Sequence, residues 1–376
     1  MTESIKEGLE GIIAGKTAIS TVGKEGLDLT YRGYSIHDLA QNATFEEVVF
    51  LLLYNRLPTK NQLSSFIDQL NSLRELPAAL QSVLKLIPQD TNPMDVLRTG
   101  CSMLGTLEPE DGHRTQEYIA KRLLAIFPSM LLFWYQYHQG KGSIDTTSES
   151  EKTIASHLLH LLYGHPATAD QIRALDVALI LHAEHEFNAS TFTCRVITST
   201  LSDFYSAITG GICALRGPLH GGADEAAMEQ ISKFRSVEEA EEGIKAMLSR
   251  KEKVMGFGHR VYKYGDPRSD IIKQWAKNLS SKTGSQVLFS IAEKIEEVMF
   301  KEKHLYPNVD FYSALTYHFL GIPTLLFTPL FVISRTAGWC AHIFEQRANN
   351  RLIRPIAEYV GPQPMPYIPI EQRTDL

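Results

Sequence analysis

Cysteine is scarce in this chain of 376 residues: Cys101, Cys194, Cys213 and Cys340 are the only four, and no two form a C-x-x-C pair. Such spacing argues against a zinc ribbon and gives no disulfide framework, so a reducing cytoplasm is the expected setting. Excess positive charge is lacking as well. Lysine and arginine total 37 against 43 aspartates and glutamates, a net charge of −6. Phosphate contacts need clustered cations, so nucleic acid is not an expected partner. Long apolar runs are missing, because the stretches at 131–135 and 324–333 are too short or too interrupted to span a bilayer. No membrane partner is expected, and the first six residues carry neither an apolar signal core nor an arginine-rich transit pattern.

What remains is a globular composition, 44% hydrophobic and 21% charged, long enough for two domains or one large one. Residues 17–22 and 27–31 alternate in character around the turn-prone Gly23-Lys24-Glu25-Gly26, which reads as a small hairpin. Beyond Tyr34 the period becomes helical. Thr44-Phe45-Glu46-Glu47 is a capping box ahead of an apolar run, and Pro58 follows its end. Amphipathic segments recur at about 60–74, 93–106, 117–137, 152–163, 171–186, 191–214, 222–233, 237–249, 269–279, 285–299, 309–320 and 329–347. Polar linkers are expected at 140–150 and 277–285, and no further strand pattern stands out. The expected fold is mostly α.

Two histidines sit in glycine brackets. His220, in Gly217-Pro218-Leu219-His220-Gly221-Gly222, precedes a helical segment. There it either caps a turn or, kept neutral by the helix dipole, donates a hydrogen bond to a carbonyl oxygen. His259, in Gly256-Phe257-Gly258-His259, is followed by Lys263 and by Arg268 in Asp266-Pro267-Arg268. Arg268 offers a fork for a carboxylate and Lys263 a point charge for a phosphate, unless both are solvated surface around a tight turn. The glycines lack G-x-G-x-x-G spacing, which excludes a dinucleotide site.

Asp310 opens an apolar, aromatic segment, either as a first-turn charge or as a half-buried carboxylate raised enough to act as a general base. The order His182-Ala183-Glu184-His185 does not match H-E-x-x-H, so no metal site is expected, and His185 is better placed to hydrogen-bond a polar ligand. Arg335, within an otherwise apolar helix, demands an anion or a carboxylate partner; Arg354 is flanked by apolar residues. Together these cations suit a small, multiply charged acid.

The motifs Gly217-Pro218-Leu219-His220-Gly221-Gly222-Ala223, Gly256-Phe257-Gly258-His259, Asp266-Pro267-Arg268 and Asn308-Val309-Asp310 resemble those of citrate synthases in order and approximate spacing. The likeness runs from Tyr31-Arg32-Gly33-Tyr34 to Arg354-Pro355, and the wordings around 183–191 and 327–333 look like the 2-methylcitrate synthase branch. The resemblance implies a nearly all-helical homodimer of two domains, the large one over 1–221 and 322–376 and a small mobile one over 222–321. It implies Asp310 as base toward an acyl-CoA, His220 as donor to the thioester oxygen and His259 as donor to the ketone of oxaloacetate. It further places His185, Asn188, Arg268, Phe331 and Arg335 on oxaloacetate, with Arg354 crossing from the partner subunit. Coenzyme A would meet Met255, Gly256, Phe257, Gly258, Lys263, Lys301, Lys303 and Asn308. The acyl donor is expected to be propionyl-CoA, with acetyl-CoA as rival, and no metal or tightly bound cofactor is implied. The chain starts at the first core elements, without the N-terminal extension of NADH-regulated hexameric relatives, so such regulation is not expected. A metal-dependent hydrolase using His182 and His185, and a non-catalytic helical scaffold, are the remote alternatives.

Overall fold

The computed structural model describes residues 6–24, 27–147 and 151–373. Residues 25–26 of the expected turn and 148–150 of the first expected linker lie outside the described residues, as do 1–5 and 374–376. Strands β1 (Ser20–Lys24), β2 (Leu27–Tyr31) and β3 (Tyr34–Ser35) form one antiparallel sheet. A third strand thus extends the expected hairpin. Tyr31 ends β2 with its hydroxyl donating to the carbonyls of Ile180 and Glu184, both at 3.1 Å. That contact ties the sheet to the loop that will carry His185.

Sixteen α-helices are present among the described residues. The first ten are α1 (Ile36–Asn42), α2 (Phe45–Tyr54), α3 (Lys60–Asn71), α4 (Ala78–Leu86), α5 (Pro93–Leu107), α6 (Gln116–Gln136), α7 (Ile154–Tyr163), α8 (Ala169–His182), α9 (Ala189–Ser199) and α10 (Phe204–Leu215). The rest are α11 (Ala223–Ile231), α12 (Val237–Ser249), α13 (Pro267–Thr283), α14 (Gln286–Lys303), α15 (Val309–Phe319) and α16 (Phe327–Ala348). The box at Thr44 forms as its sequence demands: the Thr44 hydroxyl accepts from the Glu47 amide, and the Glu47 carboxylate accepts from the Thr44 amide.

Helix α16 is apolar on most faces, burying Ile333, Ala337, Trp339 and Ile343, and it packs against α2, α6, α8, α9 and α10. A helix of that composition belongs at the centre of a bundle. Helices α11 to α15 pack mainly on one another, α13 against α15 and α12 against α14, while α13 and α15 also touch α8. Among the described residues after Ala348 there is no further α-helix, and Ile356 and Val360 are exposed there.

Three sequence expectations need correction. The segment 191–214 is two helices, because Leu201 takes a left-handed φ of 67° and Asp203 caps a new start by accepting from the Ser206 amide. The polar stretch 277–285 is not a linker; α13 continues to Thr283 and stops at Gly284, since Leu279 and Ser280 are buried under the polar outer face. The short helices α1 and α4 were not anticipated. Each spans only about two turns, too few for a hydrophobic period to register.

Candidate active site

The end of α8 carries His182, and the loop from there to α9 carries His185 and Asn188. Glu184 holds it from below: fully buried, its Oε1 accepts from the Ser20 hydroxyl at 2.9 Å, the Glu186 amide at 2.6 Å and His342 Nε2 at 2.8 Å. Arg195 Nη1 donates to His342 Nδ1 at 2.9 Å, which leaves the imidazole hydrogen on Nε2 for Glu184. Burial alone would raise the Glu184 carboxyl, but His342 and Arg335 outweigh it and hold it below its usual range. Above this support His185 Nε2 lies 3.2 Å from the Tyr262 hydroxyl. Burial, then Arg268 and His259, push His185 well below the usual imidazole range, so it serves as a neutral group.

His220 reaches the same space from the turn before α11. Its Nε2 accepts from the Ser190 amide at 3.1 Å and from the Ser190 hydroxyl at 2.8 Å, so the ring hydrogen sits on Nδ1. Ser190 is fixed in turn, its hydroxyl oxygen lying 2.8 Å from Asn188 Oδ1 and accepting from Trp339 Nε1 at 3.1 Å. Burial first, and Arg335 second, bring His220 down to about 4, with Asp310 opposing. The cap of α11 is Gly222 rather than His220, so burial, not the helix dipole, is the main reason for the neutral ring. Gly221 has no room for a side chain: a Cβ there would stand 2.2 Å from the Leu215 carbonyl oxygen. Gly221→Ala is expected to destabilise the fold by about 1–3 kcal/mol, read as a lower Tm, and to displace His220 with loss of turnover.

His259 is framed by a loop clamped to the start of α15. The Gly258 amide donates to the Tyr306 carbonyl, and the Asn308 amide to the Gly256 carbonyl, both at 2.9 Å. Asn308 closes the clamp, donating through Nδ2 to the Gly258 carbonyl and accepting at Oδ1 from the Asp310 amide, each at 3.1 Å. Gly256, at φ 81°, passes so close to Phe311 that a Cβ would lie 2.8 Å from the Phe311 Cβ. His259 Nδ1 accepts from the amides of Val261 at 3.0 Å and Tyr262 at 3.2 Å, leaving Nε2 as the donor. Burial and Arg268 hold this ring below its ordinary value.

Arg268 and Asp266 form a buried, two-pronged pair, with Nε to Oδ1 at 2.9 Å and Nη2 to Oδ2 at 2.7 Å. Burial works against the guanidinium, yet Asp266 outweighs it and raises Arg268 further. The fork expected for a ligand is therefore already engaged on one side, and only the Nη1 edge remains. Arg335 is 1% exposed, donates from Nε to the His182 carbonyl at 2.7 Å and lies 4.7 Å over the Phe331 ring. Burial lowers it to about 10, against the pull of Glu184. Asp310, 21% exposed, places Oδ1 3.7 Å from His182 Nε2.

The structure therefore brings His185, His220, His259, Arg268, Asp310, Phe331 and Arg335 together. The outlying residues are differently placed. Lys263 borders a cavity of about 180 Å³ shared with His259, Asp266 and Asn308. Lys301 is paired with Glu297, and Lys303 is exposed at the end of α14. Met255 is fixed through its amide, which donates to Gln230 Oε1 at 3.1 Å, and the Phe257 ring packs on Phe311 at 4.7 Å. Arg354 is exposed on the segment after α16, with Nη1 donating to the Pro355 carbonyl at 3.3 Å. Among the described residues no three His, Cys, Asp or Glu side chains converge as a metal-ligand set.

The family model described as citrate synthase, C-terminal domain, matches residues 8–356. The chain belongs to the citrate synthase family. It is 53% identical to the 2-methylcitrate synthase of Shewanella oneidensis over 97% of each chain. It is 44% identical to citrate synthase 2 of Bacillus subtilis, covering 97% of this chain and 98% of that one. Its fold superposes on citrate synthase from Thermoplasma acidophilum, solved as a ternary complex with carboxymethyl coenzyme A and oxaloacetate, with a TM-score of 0.90 at 33% identity. That match covers 99% of this chain and all of the other.

Sequence reasoning missed several residues of this citrate synthase site. Ser190 and Asp266 hold His220 and Arg268, and no spacing rule announces such supports. Asp224, buried in the first turn of α11, is pushed well above the carboxylate range by burial and by Asp310. His182 was weighed only as a metal ligand. Its position three residues before His185, at a helix end, was the available signal.

Proposed function

We propose that the chain condenses propionyl-CoA with oxaloacetate and water to give 2-methylcitrate and free coenzyme A, and turns over acetyl-CoA to citrate as a secondary activity. The observation that carries this reading is the pair of imidazoles, His220 and His259, each with one nitrogen taken by backbone amides and the other left as a donor near Asp310. The 53% identity to a 2-methylcitrate synthase supports the choice of acyl donor.

Asp310 removes the proton alpha to the thioester. A thioester α-proton is weakly acidic, so the electrons released into the carbonyl need a donor in place at that moment. His220 Nδ1–H supplies it, hydrogen-bonding the enolate oxygen and sharing its charge while the proton stays on nitrogen. His259 Nε2–H polarises the oxaloacetate ketone, the enolate carbon attacks it, and the alkoxide, held by the same hydrogen bond, takes up the proton that Asp310 removed. Water then cleaves the thioester. Each imidazole starts neutral, which suits a group that must donate without having lost its hydrogen to solvent.

Arg268, Arg335 and His185 bind the two carboxylates of oxaloacetate, with Phe331 against the ligand and Asn188 acting through Ser190. Burial of Arg335 without a carboxylate bonded to it among the described residues supports an anionic ligand. Arg354 arrives from the partner subunit of a homodimer. The coenzyme lies over the 255–258 loop near Lys263 and Asn308, with Lys301 and Lys303 at the margin. Residues 222–321 act as the small domain, closing to exclude water before condensation. Gly222 and Gly321, both left-handed at φ 82° and 67°, support hinges at those two crossings. The cytoplasm is the proposed location; no described helix is long and apolar enough to cross a membrane.

The rival is a citrate synthase proper, favoured by the 44% identity to the Bacillus protein. One methylene in an apolar pocket separates acyl donors by about 1–3 kcal/mol. Release of coenzyme A thiol with oxaloacetate, compared as kcat/KM, is expected to favour propionyl-CoA over acetyl-CoA. An acetyl preference would assign the citrate reaction with the same residues. No thiol release with either donor would return the hydrolase and scaffold alternatives.

A further inference from the structure

We propose that His182 is a positioning residue for the base: once Asp310 holds the α-proton, its carboxylic O–H donates to His182 Nε2. The inference rests on the reading of Asp310 as base. His182 ends α8 at 1% exposure, and its Nδ1 lies 2.8 Å from the Ala178 carbonyl oxygen. A carbonyl can only accept, so Nδ1 carries hydrogen, and in the Nδ1–H tautomer a lone pair turns outward at Nε2. That atom is buried and without a hydrogen bond among the described residues, and it faces Asp310 Oδ1 at 3.7 Å.

Two acceptors face each other, therefore, and neither satisfies the other. A buried polar atom left unpaired is costly, and among the described residues nothing relieves it in the resting state. A hydrogen arriving on Oδ1 does. The contact then closes by roughly 1 Å into an O–H···N bond, a tightening ordinary for groups that meet only during reaction. The ring is held for that partner: Phe331 stands edge-on at 4.8 Å, and Arg335 Nε fixes the His182 carbonyl at 2.7 Å.

The step balances without a further reactant. The α-carbon–hydrogen bond breaks and its electron pair enters the enolate. An O–H bond forms on Asp310, and the hydrogen stays on that oxygen while bonding to Nε2. No proton passes to His182. Metal ligation does not explain the same atom, since no ligand set surrounds it among the described residues.

Two substitutions separate the role from simple packing. In His182→Asn the amide nitrogen takes the place of Nδ1 and keeps the Ala178 bond, but nothing stands where Nε2 was. In His182→Gln an amide oxygen occupies the Nε2 place. His182→Asn is expected to lower kcat about ten-fold or more, the worth of one buried hydrogen bond, with the KM for oxaloacetate within about two-fold of wild type. The primary isotope effect with α-deuterated propionyl-CoA should rise, and His182→Gln should recover part of the rate. Wild-type kcat in His182→Asn, or equal loss in both variants, overturns the proposal. So does a fall in kcat with an unchanged isotope effect. Should the Asn variant not fold, ¹⁵N-histidine NMR of the wild-type enzyme decides: an unprotonated Nε2 at His182 is required, and a protonated one overturns it. Asp310→Asn serves as the control. Full turnover there removes the base itself, whereas loss there with wild-type His182→Asn removes only this inference.

Discussion

Asp310→Asn is expected to lower turnover about 10³-fold while Tm and oxaloacetate affinity stay near wild type. The separation of effects follows from where the carboxyl stands. Its backbone amide is held by Asn308 Oδ1, and that bond is independent of the side chain. The side chain keeps 21% of its surface open and, among the described residues, pairs with no arginine or lysine, so an amide of the same shape leaves no bonded cation stranded. Only proton abstraction is lost. Steady-state thiol release, set beside calorimetric binding of oxaloacetate, checks both halves, and wild-type turnover would remove Asp310 from its role.

Arg335→Leu is the second large effect, and it falls on binding. The guanidinium is buried at 1% exposure, its Nε is spent on the His182 carbonyl, and the remaining donors have no bonded carboxylate among the described residues. A ligand carboxylate that completes them would be desolvated and bonded at once. Removing one side of such a pair costs about 2–5 kcal/mol, so the KM for oxaloacetate should rise roughly 10²-fold or more. An unchanged KM would take Arg335 out of the ligand seat. Thermal stability should move far less, because leucine suits the apolar surroundings of α16.

How legible this was in the sequence varied with the range of the interaction. The Thr44 capping box could be read because all its parts lie within four residues. The left-handed break at Leu201 could not, although Asp203 and Ser206 gave a capping signal inside a segment apolar enough to look continuous. At the site, residue type and glycine brackets singled out His220, His259 and Asp310. The tautomers needed the Ser190, Val261 and Tyr262 amides, which no composition reveals. Arg268 was visible as a charge, whereas its engagement by Asp266 was not. His182 was read by its spacing for metals, and its orphan lone pair depends on a carbonyl one helical turn earlier.

Asp266 accepts from the amides of Arg268 and Val309 as well as from the Arg268 side chain. One carboxylate thus anchors both the Arg268 guanidinium and the first turn of the helix that bears Asp310. The consequence is evolutionary. A lineage drifting toward a different 2-oxo acid cannot trade Arg268 alone, because the change strands a buried anion beside the start of α15. Each single replacement crosses a fitness valley that the double replacement avoids, so the two positions should be epistatic.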